Sequence, residues 1–231
     1  MMGGVLMQAI FETLFDVVYL LTVIILGIKM LSKSKLNSQF FIFGLMAIIL
    51  GLGDAFHLVP RAIALNTTGL STYTRALGIG KLITSITMTI FYILLYYVWR
   101  SRYKIREKKS LTLMVYILSI LRIMLSIMPQ NKWLSIKQPL SWGIYRNIPF
   151  LLLGLLIIKL FYDKANKDNN FKNIWLTIVF SFAFYIPVVL LSSTIPAIGV
   201  LMIPKTCAYI WTVLIGYNTM KKEAFKWKRN I

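Results

Sequence analysis

The sequence predicts an all-α, polytopic membrane protein built as a bundle of seven transmembrane helices. Of the 231 residues, 58% are hydrophobic and 14% are charged, and the mean hydropathy is +0.73. An ordinary soluble domain has about 45–50% apolar and about 25% charged residues. The apolar residues also form separate runs of about 20 residues, the length that crosses a bilayer. These observations exclude a soluble enzyme, a disordered chain and a secreted disulfide scaffold.

Seven apolar segments are long enough to span a membrane, and we interpret residues 1–231 as a single transmembrane domain. The segments lie near residues 7–30, 39–64, 76–99, 111–129, 143–162, 173–194 and 198–219. The first segment contains Glu12 and Asp16 and is longer than the apolar region of a cleaved signal peptide, so we expect it to remain as a helix. Only a short turn near Pro196 separates the last two segments.

The distribution of basic residues predicts the orientation of the bundle. The loops after the first, third and fifth spans and the C-terminal tail carry most of the Lys and Arg residues. Because cytoplasmic loops collect Lys and Arg, we expect the N-terminus outside, the C-terminus in the cytoplasm and a location in the plasma membrane. Helices 1–3 and 5–7 would then run in the same directions, which allows a three-plus-one-plus-three parallel repeat of the kind found in transporters.

The net charge of +19 reflects 26 Lys and Arg residues against 7 Asp and Glu residues. The basic residues stand in short loops between apolar segments, so we assign them to topology and expect the lipid bilayer, not nucleic acid, as a partner. The single cysteine, Cys207, excludes an internal disulfide. One His and one Cys give no basis for a His/Cys metal site. We expect no metal and no cofactor, and the oligomeric state is left open.

Ionisable residues inside membrane spans are rare and costly, so each one is a candidate for function. Counting residues from the inner boundary of each span places the ionisable residues of this chain in or beside the outer half of the membrane. They are Glu12, Asp16, Asp54, His57, Arg61, Lys81, Arg122, Arg146 and Lys205. Because they come from different helices at similar depth, we predict one water-accessible cavity that opens outward. Its cations outnumber its carboxylates, which favours an anionic ligand such as a carboxylate, a phosphate or a lipid head group.

The densest group of polar residues lies within residues 51–61. Asp54, His57 and Arg61 have the spacing i, i+3, i+7, which places them on one face of a helix. In a functional site Asp54 would accept a proton, His57 would donate or shuttle one, and Arg61 would hold an anion. The alternative is a structural cluster in which Asp54 pairs with a cation and His57 hydrogen-bonds to the backbone.

Three other positions require a partner from a different helix. Glu12 and Asp16 are spaced i, i+4, and their charges repel each other. We expect either protonation of one of them or a cation between them, which Lys205 or Lys81 could supply. Arg122 lies near the predicted midplane with no acid on its own helix, so its partner must be a carboxylate of another helix, backbone carbonyls or a ligand.

Three functions remain open. The first is a transporter or binding protein for a small anion, and the second is an intramembrane enzyme that acts on a lipid or lipid-linked substrate through Asp54 and His57. The third follows from a resemblance: seven helices, an external N-terminus and Lys205 in the last helix resemble the rhodopsin layout, and Tyr185-Ile-Pro187 is similar to the Tyr-Pro stretch of microbial rhodopsins. The resemblance implies a photoreceptor, although helix 3 lacks an acid that would serve as counterion.

Overall fold

The computed structural model describes residues 2–229 and, within them, the side chains of residues 7–195 and 197–225. The helices are α1 (Met2–Lys33), α2 (Gln39–Asn66), α3 (Thr74–Arg102), α4 (Lys109–Ile127), α5 (Leu140–Ala165), α6 (Ile174–Leu191) and α7 (Met202–Arg229). All seven are long and apolar enough to cross a membrane. This confirms the prediction of an all-helical chain with seven potential spans. Positions 1, 230 and 231 of the predicted domain lie outside the described residues.

Local chemistry sets several helix boundaries. The hydroxyl of Ser38 caps the start of α2 by accepting the N–H of Phe41 at 3.2 Å. Short 3₁₀ helices at Pro129–Asn131 and Pro196–Leu201 precede α5 and α7. As a result α7 begins at Met202, later than the hydropathy pattern predicted, because the first apolar residues of that segment belong to the 3₁₀ helix.

The helices form a closed ring in which each one packs on the next and α7 packs on α1. Helix α3 also contacts α5 across the ring. Glu12 of α1 lies beside Arg61 of α2, so these two helices are antiparallel. At the other end, the last turns of α3, α5 and α7 lie beside the first turns of α2 and α4. The starts of α1, α3, α5 and α7 therefore share one end of the bundle, which we call the N-terminal end. The opposite end is the C-terminal end.

Helices α2 and α3 approach each other closely at two glycines. A Cβ atom on Gly53 would lie 2.0 Å from the hydroxyl oxygen of Thr87, and one on Gly80 would lie 2.3 Å from the carbonyl oxygen of Phe56. Only glycine fits at these positions. The hydroxyl of Thr84 also donates to the carbonyl of Gly53 at 3.1 Å. These contacts fix the rotation of α2 and thereby the direction of the polar side chains around Asp54.

An ion network that the sequence did not predict joins four segments at the C-terminal end. Arg102 at the end of α3 donates to both carboxylate oxygens of Asp168, at 2.7 and 3.1 Å, and also pairs with Glu223 of α7. Gln39 at the start of α2 donates to Glu223 at 3.3 Å. The guanidinium group also lies 4.8 Å from the ring centroid of Phe171. Arg102 thus has two acidic partners and an aromatic one.

The charge of Asp168 is stabilised from several directions. Burial alone would raise the pKa of this carboxyl, but the hydrogen bonds and charge of Arg102, with the backbone N–H groups of Asn170 and Phe171, hold the pKa below its ordinary value of 3.8. Tyr103 donates to Asp168 at 3.2 Å. Burial and the neighbouring carboxylate raise the pKa of Tyr103 above its ordinary value of 10.0. The network therefore holds an ionised carboxylate at neutral pH.

Candidate functional site

Asp54 lies buried where α2 meets α1. The hydroxyl of Tyr19, on α1, donates to its Oδ2 atom at 2.6 Å. Tyr19 itself is fully buried. A hydrogen bond from a phenol to a carboxylate is charge-assisted and short, so it satisfies one lone pair of a group that burial would otherwise penalise. The carboxylate is thus held in a defined position inside the bundle.

Lys205 lies in the first turn of α7 and is also buried, with 6% of its surface exposed. Its Nζ atom is 5.1 Å from the ring centroid of Tyr185 and 5.2 Å from that of Tyr209, distances at which a cation is attracted to an aromatic face. Asp54 is near enough for the charge of Lys205 to act on it. Within the described residues the two side chains do not come within the 4.0 Å of an ion pair.

Arg122 is the largest fully buried side chain of the described bundle, with 2% of its surface exposed. Its Nη1 atom donates to the carbonyl of Arg146 at 2.6 Å and to the side-chain oxygen of Asn147. The guanidinium group also lies 4.2 Å from the ring centroid of Phe150. These partners are neutral, and no carboxylate among the residues described forms an ion pair with Arg122.

The Nε atom of Arg122 makes no hydrogen bond with any residue whose side chain is described. The Nε atom is buried, and no described atom accepts a hydrogen bond from it. A buried donor left without an acceptor costs about 1–3 kcal/mol, and more when it is charged. Nε belongs to the edge with which arginine binds carboxylates and phosphates in a bidentate manner. Arg122 is therefore the group in the site that most clearly lacks a partner.

A hydrogen bond links Arg122 to the surroundings of Lys205. The hydroxyl of Tyr185 donates at 3.0 Å to the Asn147 oxygen that also accepts from Arg122, and the ring of the same tyrosine faces Lys205. Four helices therefore contribute to one polar region at the N-terminal end: α4, α5, α6 and α7. Asp54 joins this region through its proximity to Lys205.

Arg146 holds the connection between α4 and α5. Its Nη1 atom donates to the side-chain oxygen of Asn131 at 2.7 Å, and its guanidinium group lies 4.3 Å from the ring centroid of Trp133. Asn131 in turn donates to the carbonyls of Leu125 and Met128. These contacts give Arg146 a positioning role beside Arg122, to which it also presents its carbonyl.

The cation next to Glu12 comes from α2. Arg61 pairs with Glu12 at 2.8 Å, and the two side chains are 34% and 15% exposed. The cation beside Glu12 is therefore neither Lys81 nor Lys205, the two residues that the sequence suggested. Antiparallel packing brings the end of α2 alongside the start of α1, which sequence spacing within one helix does not reveal. Arg61 is occupied by a carboxylate of the protein.

Asp16 lies one turn further along α1 and is partly buried. No hydrogen bond to its side chain is found within the described residues. Arg61, Glu12 and Asp54 are all close enough to act on its charge. Asp16 thus lies between the Glu12–Arg61 pair and the buried Asp54.

His57 and Lys81 form no side-chain hydrogen bond or ion pair with the other site residues in the described part of the chain. The backbone of His57 faces Gly80 of α3, and its Nδ1 atom is buried without a partner in the part of the chain that is described. No hydrogen bond joins His57 to Asp54 there. Lys81 is exposed. The three groups on this face of α2 therefore do not hydrogen-bond to one another in the described structure: Asp54 accepts from Tyr19, and Arg61 pairs with Glu12.

Sequence reasoning missed several polar groups of the site. Two of them, Tyr19 and Asn147, were detectable, since each is a hydrogen-bonding side chain inside an apolar span. Tyr19 follows Asp16 by three residues, and Asn147 is next to Arg146 in the sequence. Buried hydroxyl groups also extend towards the C-terminal end, where Thr177 and Thr212 lie 2.7 Å apart. Among described residues, no group of three or more His, Cys, Asp or Glu side chains has a metal-binding arrangement.

Two pockets of the described structure lie at the C-terminal end, around Arg100 and Arg106. Neither is lined by Asp54, Arg122 or Lys205, which are buried. A wide outward cavity around these three residues therefore stays a prediction. Comparison with known proteins gives no match to a protein family, to a curated protein or to a solved structure.

Proposed function

We propose that this chain is a multi-pass plasma-membrane protein that binds a small oxyanion, a carboxylate or a phosphate, at its N-terminal end, as a transporter or a binding protein. The observation that carries the proposal is Arg122: a buried guanidinium group with neutral partners and one nitrogen without any partner. An oxyanion would offset its charge and accept the hydrogen bond that the protein leaves unmade. Lys205 would add a second cation on the same side of the bundle.

Access to Arg122 requires movement of α5 and α6. Each of these helices contains a proline two residues after a site residue: Pro149 follows Asn147, and Pro187 follows Tyr185. Proline removes a backbone hydrogen bond and makes a helix easier to bend at that point. Because Asn147 and Tyr185 hydrogen-bond to each other, bending at the prolines would separate them and expose Arg122. This supports a site that opens to admit its ligand.

The other two predicted functions have less support from the geometry. A paired acid–base role for Asp54 and His57 would need the two groups in contact, and no hydrogen bond joins them in the described structure. Lys205 lies between tyrosine rings, and a photoreceptor role would be tested by the absorption spectrum of purified protein with added retinal. The parallel repeat of α1–α3 and α5–α7 likewise stays a prediction.

The binding proposal is tested by thermal unfolding of purified protein in detergent. Inorganic phosphate, glycerol 3-phosphate and succinate are compared with chloride at equal ionic strength, for wild type, Arg122→Gln and the exposed control Arg75→Gln. We expect one oxyanion to stabilise wild type and Arg75→Gln, by about 2.7 kcal/mol at 100 times its Kd, and to leave Arg122→Gln unchanged. An equal response of all three proteins, or of none, would contradict the proposal.

The same oxyanion then separates transport from binding. Proteoliposomes that contain wild-type protein accumulate the labelled anion if the chain is a transporter, and only bind it if the chain is a binding protein.

The orientation is tested in cells with a Cys207→Ser background. We expect a membrane-impermeant maleimide to label Ser71→Cys in intact cells and Lys108→Cys only after permeabilisation, because basic loops face the cytoplasm.

A further inference from the structure

Two adjoining pockets lie where α3 connects to α4 at the C-terminal end, with volumes of about 320 and 730 Å³. Both are lined by Arg100 and Arg106. Lys109, Thr112, Leu113 and Tyr116 complete the first pocket, and Ile42, Tyr97, Ser101, Lys104 and Ile105 complete the second. Neither lining includes an acidic residue. The pair therefore forms one strongly basic concavity, which we call the α3–α4 pocket.

Arg100 builds the frame of the α3–α4 pocket. Its side chain donates to the carbonyl of Ile105 at 3.1 Å, to that of Arg106 at 2.8 Å and to the hydroxyl of Thr112 at 3.1 Å. The connection turns sharply at Lys104, which has a φ of 54°. Arg100 thus holds the connection in place through hydrogen bonds, whereas the side chains of Arg106, Lys104 and the nearby Lys109 are exposed on its surface.

The exposed cations of this pocket lack acidic partners, unlike the neighbouring Arg102. Arg102 pairs with Asp168 and Glu223, whereas Arg106 and Lys109 form no ion pair within the described chain. Glu107 stands between them in sequence but does not line either pocket. Two acids of this end, Asp168 and Glu223, are thus directed to Arg102, and the lining of the pocket keeps its positive charge for an external anion.

An apolar strip leads from the pocket along α4. Leu113 is 60% exposed, and Ile117 and Ile120 continue the same face with 55% and 59% exposure. At the pocket wall the hydroxyl groups of Tyr97 and Tyr116 lie 2.6 Å apart. Tyrosine is typical of the boundary between acyl chains and head groups. A basic pocket, a tyrosine boundary and an apolar strip therefore follow one another in the order of a phospholipid's own parts.

We propose that the α3–α4 pocket binds the phosphate-bearing head group of an anionic phospholipid. Arg106 and Lys109 would pair with the phosphate, and an acyl chain would lie along the strip that begins at Leu113. Basic residues next to a membrane helix attract anionic lipids, and arginine binds phosphate in a bidentate manner. The site is separate from Arg122, since it lies at the opposite end of the bundle.

Native mass spectrometry of the detergent-purified full chain tests this site. Phosphatidylglycerol and phosphatidylcholine are titrated against wild type, the double variant Arg106→Gln/Lys109→Gln and the control Lys159→Gln/Lys172→Gln, which removes two exposed charges from the same end. We expect wild type and the control to bind phosphatidylglycerol about tenfold more tightly than phosphatidylcholine, and the double variant to lose that preference. Thermal unfolding of each variant checks that it is folded.

Two further arms identify the source of the phosphate. Leu113→Ser should weaken binding of phosphatidylglycerol, and glycerol 1-phosphate or inorganic phosphate at equal concentration should fail to displace the lipid. Displacement by either soluble phosphate, with no effect of Leu113→Ser, would overturn the lipid assignment. Equal binding of the two lipids, or an unchanged preference in the double variant, would overturn the site. Arg122→Gln should retain the lipid preference, which separates this test from that of the anion site.

Discussion

Two arginines at opposite ends of the bundle are held in contrasting ways. Arg102 pairs with two carboxylates, Asp168 and Glu223. Arg122 is more deeply buried, yet its partners are a backbone carbonyl, an amide oxygen and an aromatic ring. The chain has only 7 acidic residues against 26 basic ones, so acids placed beside one arginine are not available to another.

The contrast separates two uses of a buried charge. Acids that surround Arg102 neutralise it and join α3, α7 and the loop before α6, which stabilises the fold. Neutral groups around Arg122 fix its position without an ion pair, and under the proposed function its charge would act on an incoming anion. Polar and charged groups held in place at some cost in stability are typical of binding sites. Each of the following predictions tests one side of this comparison.

The largest effect is expected for Arg102→Gln. This change leaves the buried Asp168 and the neighbouring Glu223 without their cation, and breaking a buried pair in this way costs about 3 kcal/mol or more. Thermal unfolding in detergent should show a correspondingly lower midpoint than for wild type. Arg75→Gln, which removes an exposed arginine, serves as the control and should change the midpoint little. A variant as stable as wild type would show that the network does not stabilise the fold.

The second effect is a loss of stability in acid that depends on Asp168. Because the folded-state pKa of this carboxyl is lower than its ordinary value of 3.8, its contribution is complete above that value and is lost as the pH falls through the folded pKa. The temperature midpoint of wild-type unfolding should therefore fall as the pH is lowered from about 4 to about 2. Each kcal/mol of stability lost lowers this midpoint by about 2–4 °C. Asp168→Asn should be less stable at neutral pH and show a flatter dependence in that range.

A smaller effect is expected at Asp54. Its carboxylate opposes the positive charge around Lys205, so Asp54→Asn should increase the attraction for an anion by about 1 kcal/mol, or about fivefold in Kd. Lys205→Met should change the affinity in the opposite direction. Titration of the oxyanion that stabilises wild type measures both. Loss of binding in Asp54→Asn would instead favour a direct role of this residue with the substrate.

The smallest effect is expected for Arg122→Gln without any oxyanion. The variant loses the contact with Phe150 but also removes a buried charge that no acid offsets, so its stability should lie within about 1 kcal/mol of wild type. Chemical unfolding in chloride buffer measures this difference. A loss as large as that of Arg102→Gln would show that Arg122 is a structural residue.

The helices could be predicted from the sequence because each span is a local property of about 20 residues. The charged side chains inside the spans were visible for the same reason: Asp54, Arg122 and Lys205 interrupt apolar runs. Their partners were not visible. Tyr19 meets Asp54, and Arg61 meets Glu12, only because of the rotation and antiparallel packing of α1 against α2, which no spacing within one helix determines.

The ion network at Arg102 could not be predicted for a different reason. Hydropathy places Arg102 among the cations of a loop, where the topology already accounts for it. Its partners come from the loop before α6 and from the part of α7 that continues past the apolar segment, as far as Glu223. A helix that extends beyond its hydrophobic length has no signature in hydropathy, so this contact needed the three-dimensional structure.

The most direct test of the account is the affinity of wild type and Arg122→Gln for the oxyanion that gives the largest thermal stabilisation, measured by titration in detergent at fixed ionic strength. Removing one partner of a buried charge pair weakens binding by about 2 kcal/mol or more, so Kd should rise about 30-fold, while Arg75→Gln binds as wild type does. The same Kd for Arg122→Gln and wild type would contradict the assignment of Arg122 as the anion-binding residue.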